Sequence, residues 1–462
     1  GIQRVGWPFM AGGGGALPKM AMGAGRMEQT QQDKPEQQVR ADSGPDADKV
    51  LPELEKELVQ VSDDLTLLWH RPLIEEVERQ DRDPDTVRVF VNGCFDLMHL
   101  GHFNALRQAK SLFYQRGFKK VVLVAGLHSD AAVAGQKGPP MLSEEERLSV
   151  LRATKWVDEL ATALPYVSMS AKMADALRVQ WICHGDDMPV CKGGGGMYSD
   201  AIENGRFQLL KRTEGISTTQ ILERILQTSH NCGSEPSSKA GPSSDSTSSE
   251  LGTAWATTQR FASFAAPPNP WNVARSLTEA KRVVYIGGTF DLLNEGHVEL
   301  LEKASRLGDY LLVGLHSDET VRKHRGRLPV LTLLERAMAV MSLRCVDDVV
   351  LSAPWEVSRD LLTTMNVSMV AAGCARAWGT KRPAAALQEA DAGGRGSGGG
   401  DPRLAAPREL RLVVDVDVES SITSEALRQR FLDSRDAIAL RNGALLPKEL
   451  AYVERRTYVP ES

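Results

Sequence analysis

Residues 89–102 read Val-Phe-Val-Asn-Gly-Cys-Phe-Asp-Leu-Met-His-Leu-Gly-His, and this stretch decides the fold. An apolar run leads into the turn Asn92-Gly93, and beyond His102 apolar residues recur at helical spacing, which predicts a strand, a loop and a helix. His99 and His102 would lie at the start of that helix, where free N–H groups and the helix dipole favour an anion. Because Gly101 has no Cβ, a phosphate can approach the backbone there. The stretch therefore indicates phosphate chemistry.

The histidine pair has two simpler interpretations, a fragment of a structural metal site and two ordinary surface histidines. No further ligands follow nearby at zinc-like spacing, and the six cysteines of the chain form no Cys-x-x-Cys pair. We therefore expect no metal ion to be held by these side chains.

The run from Gly93 to His102 resembles the His-x-Gly-His signature of the nucleotidylyltransferases, and within them the cytidylyltransferases. Residues 212–219, Arg-Thr-Glu-Gly-Ile-Ser-Thr-Thr, resemble a second and highly specific signature of that family. Residues 184–187, His-Gly-Asp-Asp, look like its nucleotide-site loop, and Lys137 and Arg147 fall where the family places intermediate basic residues. Class I tRNA synthetases share the histidine motif, but nothing similar to their lysine-rich second motif is present.

The resemblance implies that a phosphomonoester oxygen attacks the α-phosphorus of CTP and that pyrophosphate leaves. Positioning and charge stabilisation would carry the rate of such a reaction. The residues expected to be catalytic are His99, His102, Lys137 and Arg212. Those expected to bind the nucleotide are Gly93, Cys94, Phe95, Asp96, Gly101, Arg147, His184, Gly185, Asp186, Asp187, Gly215, Ile216, Ser217, Thr218 and Thr219. Mg²⁺ is expected with CTP, because it bridges and neutralises phosphate oxygens.

A second helix start can be recognised without the resemblance. Ser217-Thr218-Thr219-Gln220 predicts a capping box before the apolar positions Ile221 and Leu222. Such a cap is common in ordinary helices, so the preceding Arg-Thr-Glu-Gly carries the functional indication.

The decisive stretch recurs at 284–297 as Val-Tyr-Ile-Gly-Gly-Thr-Phe-Asp-Leu-Leu-Asn-Glu-Gly-His. Other segments repeat as well, for example Gly126–Asp130 at Gly314–Asp318. In both halves helical patterns alternate with short Val- and Leu-rich runs, which is typical of a parallel sheet covered on both faces. The prediction is an α/β protein with two tandem Rossmann-like nucleotidylyltransferase domains.

The second copy departs from the family pattern at chemically important positions. Asn294 replaces the first histidine, although His297 remains, and the nucleotide-site loop becomes Ala-Gly-Cys-Ala at 372–375. The second signature is reduced to 418–425, without arginine or glycine, and Glu419 would place an anion beside a phosphate pocket. We expect the second domain to be inactive and to serve packing or regulation.

Two catalytic-type domains in one chain resemble the ethanolamine-phosphate cytidylyltransferases, whereas the choline-phosphate enzymes have one such domain and a long amphipathic membrane helix. The resemblance implies phosphoethanolamine as the acceptor, with Tyr166 and Asp96 as substrate-binding residues. A quaternary ammonium favours an aromatic cage, and Val190 stands where a second aromatic would help. Phosphocholine and other small phosphomonoesters such as glycerol 3-phosphate stay open as acceptors. Tyr166 could equally be a packing residue, and a non-catalytic nucleotide-binding scaffold or sensor is the alternative of another class.

The composition sets outer limits on function. The chain of 462 residues has a formal net charge of −5 and a pI of about 6.1, so no basic footprint indicates nucleic acid. The chain contains no run of about 18 apolar residues, so the sequence predicts no transmembrane helix. Scattered cysteines fit a reducing compartment. The resemblance implies a cytoplasmic enzyme and allows peripheral association with the endoplasmic reticulum and a homodimer.

Composition also divides the chain into segments. Three regions are rich in glycine, serine, proline or glutamine and lack periodicity. The predicted organisation is a disordered tail (1–48), an amphipathic helical lead-in (49–84), the catalytic domain (85–227), a Ser- and Pro-rich linker (228–280), a degenerate domain (281–435) with a Gly-rich loop (383–403), and a C-terminal tail (436–462).

Overall fold

The computed structural model describes residues 80, 83–164, 169, 171–187, 196–230, 261–270, 275–374 and 401–455. The predicted tail 1–48 lies outside these residues, as do most of the lead-in and linker and the Gly-rich loop up to residue 400. Among the described helices, none combines the length and apolar character that a membrane crossing needs.

The first half of the chain builds a five-stranded parallel sheet in the order β3-β2-β1-β4-β5. This is the strand order of doubly wound nucleotide-binding folds. The strands are β1 (Thr86–Gly93), β2 (Lys120–His128), β3 (Glu159–Leu164), β4 (Trp181–Gly185) and β5 (Phe207–Leu210). The helices are α1 (Leu100–Gln115), α2 (Asp130–Lys137), α3 (Glu144–Ala153), α4 (Ala171–Ala176), α5 (Ser199–Glu203) and α6 (Thr218–His230).

The second half repeats the same topology, with the order β10-β9-β6-β7-β8. Its strands are β6 (Val283–Gly288), β7 (Tyr310–Leu315), β8 (Asp348–Leu351), β9 (Val367–Cys374) and β10 (Val413–Asp417). Its helices are α7 (Glu295–Ser305), α8 (Asp318–Arg325), α9 (Leu333–Met341), α10 (Arg359–Thr364), α11 (Ala405–Glu409), α12 (Ser424–Asp433) and α13 (Arg435–Arg455), with a 3₁₀ turn at Pro402–Leu404. The predicted fold class, two Rossmann-like domains in tandem, is confirmed.

The central strands are apolar because helices cover both faces of each sheet. All of β1 except Gly93 is buried, and so is the whole of β7. Helix starts are fixed locally: Ser143 and Thr332 each cap a helix, with Glu146 and Glu335 closing the capping box.

The two domains pair through equivalent elements. Helix α1 contacts α9 while its counterpart α7 contacts α3, and α6 contacts its own counterpart α12. Lys155 donates its backbone N–H to the carbonyl of Ser342 at 2.8 Å, and Arg344 donates to that of Ala153 at 2.9 Å. One hydrophobic core continues across this junction. The arrangement is that of a two-fold interface between two copies of one fold, held within a single chain.

Two ion pairs cross the junction at equivalent positions. Arg224 on α6 contacts Glu335 at 2.8 Å, and Arg430 on α12 contacts Glu146 at 2.7 Å. Burial raises the pKa of Glu146 less than the hydrogen bonds from Arg430 and Ser143 lower it, so the net shift is downward.

The segment that the sequence suggested as a C-terminal tail contains helix α13, which packs against α6 of the first domain. Ile438 is completely buried, and buried Asn442 donates its amide N–H to the carbonyl of Thr219 at 3.2 Å. The helix therefore returns to the first domain after the second domain is complete. Local sequence did not show this, because the contacts that anchor the helix come from a distant part of the chain.

Candidate active site

The two histidines of the first motif lie at the N-terminus of α1. His99 is the N-cap residue, and its Nδ1 accepts a hydrogen bond from the backbone N–H of Gly101 at 3.0 Å, so a neutral ring carries its proton on Nε2. The ring of His102 lies 4.2 Å away, centroid to centroid. Burial, and then the charges of His102, Arg212 and Arg224, hold the pKa of His99 well below its usual value. Near neutral pH this ring is an uncharged donor through Nε2.

Gly101 is required by the histidine beside it. A Cβ at this position would lie 2.8 Å from Cε1 of His99, which real Cβ contacts essentially never show, and 3.1 Å from Nδ1, which is tighter than most of them. Any larger residue would push the ring out of its N-cap position. The sequence assigned this glycine to phosphate approach, and the structure adds the packing of His99 as a second reason.

The loop between β1 and α1 has an unusual backbone. Phe95 and Leu97 adopt left-handed conformations with φ of +48°, and Phe290 and Leu292 in the second domain do the same at +49°. Bulky residues rarely adopt this conformation, which costs on the order of 1–3 kcal/mol at each site. Because both domains keep it, the strained loop belongs to the framework of the fold.

Asp96 was predicted to bind nucleotide and substrate, and the structure places its carboxylate in the framework instead. The two oxygens accept hydrogen bonds from the backbone N–H groups of Met141 and Leu142, at 2.9 and 3.1 Å. Burial raises the pKa of this carboxyl. Asp291 holds Val330 and Leu331 of the second domain in the same way. Because this interaction is found in both domains, it is not specific to nucleotide binding. We therefore replace the predicted role of Asp96 in binding with a role in positioning the loop.

Arg147 also departs from its predicted role. Its side chain is completely buried and donates to the carbonyls of Cys94 and His128 and to the carboxylate of Asp130, at 2.6, 3.0 and 2.6 Å. In the second domain Arg336 makes the corresponding contacts. A guanidinium without solvent access cannot reach a phosphate, so Arg147 fixes the motif loop and does not contact nucleotide.

Arg212 follows β5 and meets the two carboxylates of the 184–187 loop. Its backbone N–H donates to Asp186 Oδ1 at 3.0 Å, and its Nε lies 3.6 Å from Asp187 Oδ2. A Cβ on Gly185 would lie 2.5 Å from Asp187 Oδ1, so a larger residue here would displace that carboxylate. His184 is the penultimate residue of β4, and its Nδ1 lies 2.9 Å from the carbonyl oxygen of Gly185. The structure thus brings together the second and third motifs.

The residues after Arg212 connect this group to the histidine loop. Thr218 Oγ1 donates to the carbonyl of Asp96 at 3.0 Å, which joins the second motif to the first. Ser217 Oγ accepts from the backbone N–H of Gln220 at 3.1 Å, so the helix cap forms. The Gln220 side chain does not complete the predicted capping box, because its buried Oε1 has no partner among the described residues. Gly215 has a φ of +80°, which requires glycine.

The other predicted residues support this site or lie beyond what the structure describes. Ile216 is buried and Thr219 offers its carbonyl to α13. Gly93 ends β1, Cys94 is half-buried, and the buried Phe95 ring lies 5.7 Å from that of His102. Lys137 is the last residue of α2, with its side chain outside the described part, and Tyr166 lies outside altogether.

The corresponding site of the second domain is closed. Asn294 caps α7, but its Oδ1 accepts from the N–H of His297 at 3.3 Å and its Nδ2 donates to the carbonyl of Leu292 at 2.9 Å. A Cβ on Gly296 would lie 2.4 Å from the carbonyl oxygen of Ile422, whereas the equivalent distance from Gly101 to Ile216 is 3.8 Å. The loop therefore lies closer to the helix N-terminus, where a phosphate would bind. Burial lowers the pKa of His297 to about 4.

Glu419 does not occupy this closed position. Its side chain is 91% exposed, and its nearest cation is Lys303 at 3.7 Å. The prediction that Glu419 lies beside a phosphate pocket is therefore wrong, because its side chain points outward into solvent.

Sequence reasoning missed two residues of α13 that reach the first site. Glu449 Oε2 accepts a hydrogen bond from Ser217 Oγ at 2.9 Å, and Glu449 Oε1 lies 3.7 Å from Arg212 Nη2. Tyr452 donates its hydroxyl to Asp186 Oδ1 at 2.6 Å, and its ring centre lies 5.0 Å from the Arg212 guanidinium carbon. Neither residue belongs to a recognisable motif, so no local signal could have shown them.

Comparison with known proteins gives matches in both domains. A family model described as cytidylyltransferase-like matches residues 90–224 and 285–377. An ethanolamine-phosphate cytidylyltransferase from Dictyostelium discoideum is 34% identical over 80% of this chain and 97% of its own length. The chain belongs to the ethanolamine-phosphate cytidylyltransferase family. An Arabidopsis thaliana relative of the same name is 35% identical over 81% of this chain and 86% of its own.

Members of this ethanolamine-phosphate cytidylyltransferase family match both domains, and a choline-type relative matches much less. A probable choline-phosphate cytidylyltransferase from Schizosaccharomyces pombe is 35% identical, but over only 30% of this chain and 37% of its own. The duplication is thus shared with the ethanolamine-phosphate cytidylyltransferases.

Proposed function

We propose that the first domain transfers the cytidylyl group of CTP to phosphoethanolamine, giving CDP-ethanolamine and pyrophosphate for phosphatidylethanolamine synthesis. The names of the relatives that span both domains support this choice of substrates. The bond from Thr218 to Asp96 has a counterpart from Ser424 to Asp291, so it belongs to the shared framework. The structural support is the set of groups without such a counterpart: the ring of His99 lies 4.2 Å from that of His102 at the start of α1, and Arg212 lies beside Asp186 and Asp187. All of these groups lie in the first domain.

The reaction needs no covalent intermediate on the protein. A phosphate oxygen of phosphoethanolamine bonds to the α-phosphorus of CTP while the bond to the bridging oxygen breaks, and pyrophosphate departs with that electron pair. Charge accumulates on the oxygens around the α-phosphorus and on the leaving group. Fixed donors at that position accelerate the step because they need not reorganise.

Each side chain has a distinct part in this scheme. His99 donates from Nε2 to an oxygen of the transferring phosphate, since Gly101 fixes its tautomer, and His102 contributes a second polar ring 4.2 Å away. Arg212 and Lys137 neutralise the triphosphate. Ser217 and the first N–H groups of α6 bind further phosphate oxygens. The mechanism is therefore one of orientation and charge stabilisation.

Mg²⁺ belongs to this proposal as part of the CTP substrate, where it neutralises phosphate oxygens. Within the described residues, no three His, Cys, Asp or Glu side chains converge on a metal position. In this proposal the ion is carried by the phosphates of CTP. A cytoplasmic location, peripheral association with the endoplasmic reticulum and a homodimer stay predictions from the family resemblance.

The test is CTP-dependent pyrophosphate release with phosphoethanolamine, phosphocholine and glycerol 3-phosphate side by side, at equal concentration with Mg²⁺. The cytidylylated product is identified by mass spectrometry. We expect CDP-ethanolamine as the main product. A main product from either of the other acceptors would keep the reaction and overturn the substrate, and no product from any acceptor would overturn the proposed activity.

A further inference from the structure

Helix α13 places an acidic side chain where the proposed function puts phosphate. Glu449 is bound by the Ser217 hydroxyl at 2.9 Å and lies 3.7 Å from the guanidinium of Arg212. A hydroxyl and a guanidinium that together face an anion are typical phosphate ligands. The Glu449 carboxylate therefore uses the charge and the hydrogen bond that a phosphate of CTP would need.

Tyr452 covers the same arginine one turn further along the helix. Its ring lies against the Arg212 guanidinium, 5.0 Å from centre to carbon, and its hydroxyl binds Asp186 Oδ1 at 2.6 Å. Asp186 also accepts from the backbone of Arg212. Two successive turns of α13 thus engage Ser217, Arg212 and Asp186, which belong to the second and third sequence motifs.

The anchored and blocking parts of α13 are separated by weak helix positions. Ile438 and Asn442 are buried, and Asn442 binds Thr219 of the first domain. Glu449 and Tyr452 instead make polar contacts that a charged ligand would compete for. Between them lie Gly443 and Pro447. Glycine lowers helix stability by about 1 kcal/mol, and proline removes a helix hydrogen bond. The helix can therefore open after its anchor without releasing the whole segment.

We propose that residues 444–455 form an autoinhibitory segment in which the Glu449 carboxylate takes the place of a CTP phosphate. CTP must displace this carboxylate from Ser217 and Arg212 before the reaction can proceed. The segment makes the affinity for CTP depend on the state of the C-terminus. This inference rests on the proposed function, since it assigns the ligand that competes with Glu449.

The test compares the full-length protein with Glu449→Gln and with Asp436→Asn. Both substitutions remove one negative charge from α13, but Asp436 is exposed at the start of the helix, away from the site. We expect Glu449→Gln to lower the KM for CTP about three- to tenfold, because a charge-assisted contact no longer opposes binding. The kcat should stay close to that of the parent protein, and Asp436→Asn should change neither constant.

Hydrogen exchange with and without CTP supplies a second readout. We expect CTP to protect residues 92–102 and to increase exchange in 444–455. An unchanged or raised KM in Glu449→Gln, or added protection of 444–455 by CTP, would overturn the inference while leaving the activity intact. Absence of turnover in the parent and in both variants would instead overturn the proposed function, and the inference with it.

Discussion

The two domains of this chain share a framework and differ in the groups that would act on phosphate. Asp96 and Asp291 hold corresponding loops, Arg147 and Arg336 make corresponding buried contacts, and the same strained backbone recurs in both. Only the first domain has His99, the Arg212 motif and the wider separation, 3.8 Å against 2.4 Å, between a Cβ on its helix glycine and the facing carbonyl oxygen. The comparison separates residues that the fold requires from residues that chemistry requires.

The largest expected effect tests the residues that only the first domain has and that chemistry requires. We expect His99→Ala to lower kcat about 10²- to 10⁴-fold, because it removes a fixed donor to the transferring phosphate. Asn294→Ala is the matched control at the equivalent position and should leave turnover within a few-fold. Steady-state kinetics would measure both, and equal losses in the two variants would show that the second domain takes part in the reaction.

Arg147→Met and Arg336→Met test the residues that both domains share and that the fold requires. Each removes a buried guanidinium and leaves a carboxylate and at least two carbonyls without their donor, two for Arg147 and three for Arg336. We therefore expect each to lower the free energy of unfolding by about 3 kcal/mol. Denaturant titration would measure the two losses. If Arg147→Met reduced CTP affinity while keeping full stability, Arg147 would contact the nucleotide after all.

His297 of the closed site, which is partly buried, should make the protein sensitive to acid. The pKa of His297 is lowered from 6.5 to about 4, so the folded state resists its protonation. Its stabilising contribution is complete above about pH 6.5 and is lost as the pH falls toward 4, by on the order of 3 kcal/mol. Unfolding titrations across this range should show a smaller loss in His297→Gln. Equal pH dependence in both proteins would mean that the pKa of His297 is not lowered in the folded state.

The smallest effect concerns the ion pairs that join the domains. Glu146→Gln and Glu335→Gln remove the charge while keeping a residue that can close the capping box. We expect each to cost about 0.5–1 kcal/mol, because the pairs are only partly buried, and the loss should shrink in high salt. Thermal unfolding at two salt concentrations would measure it. A much larger loss in only one variant would show that the two-fold arrangement is unequal in energy.

Motif and periodicity reasoning worked where structure depends on neighbours in sequence. The β-branched run before Asn92, the helix starts at His99 and Ser217 and the recurrence at 284–297 are local patterns, and the structure places each as a strand end or helix start. The same reasoning assigned Asp96 and Arg147 to the nucleotide. A motif shows that a residue matters near the site, but not whether its side chain faces the ligand or the interior.

By itself, the sequence determined the two Rossmann-like domains, the family and which domain keeps the reactive groups. These features could be predicted because strand, turn and helix signals and catalytic motifs each depend on a short segment of sequence. Only the tertiary structure decided the pairing of the domains and the position of α13. The contacts of Glu449 with Ser217 and of Tyr452 with Asp186 join residues 232 and 266 positions apart. Such contacts form only when packing brings distant surfaces together. The sequence pattern of either segment does not predict which other segment it will contact.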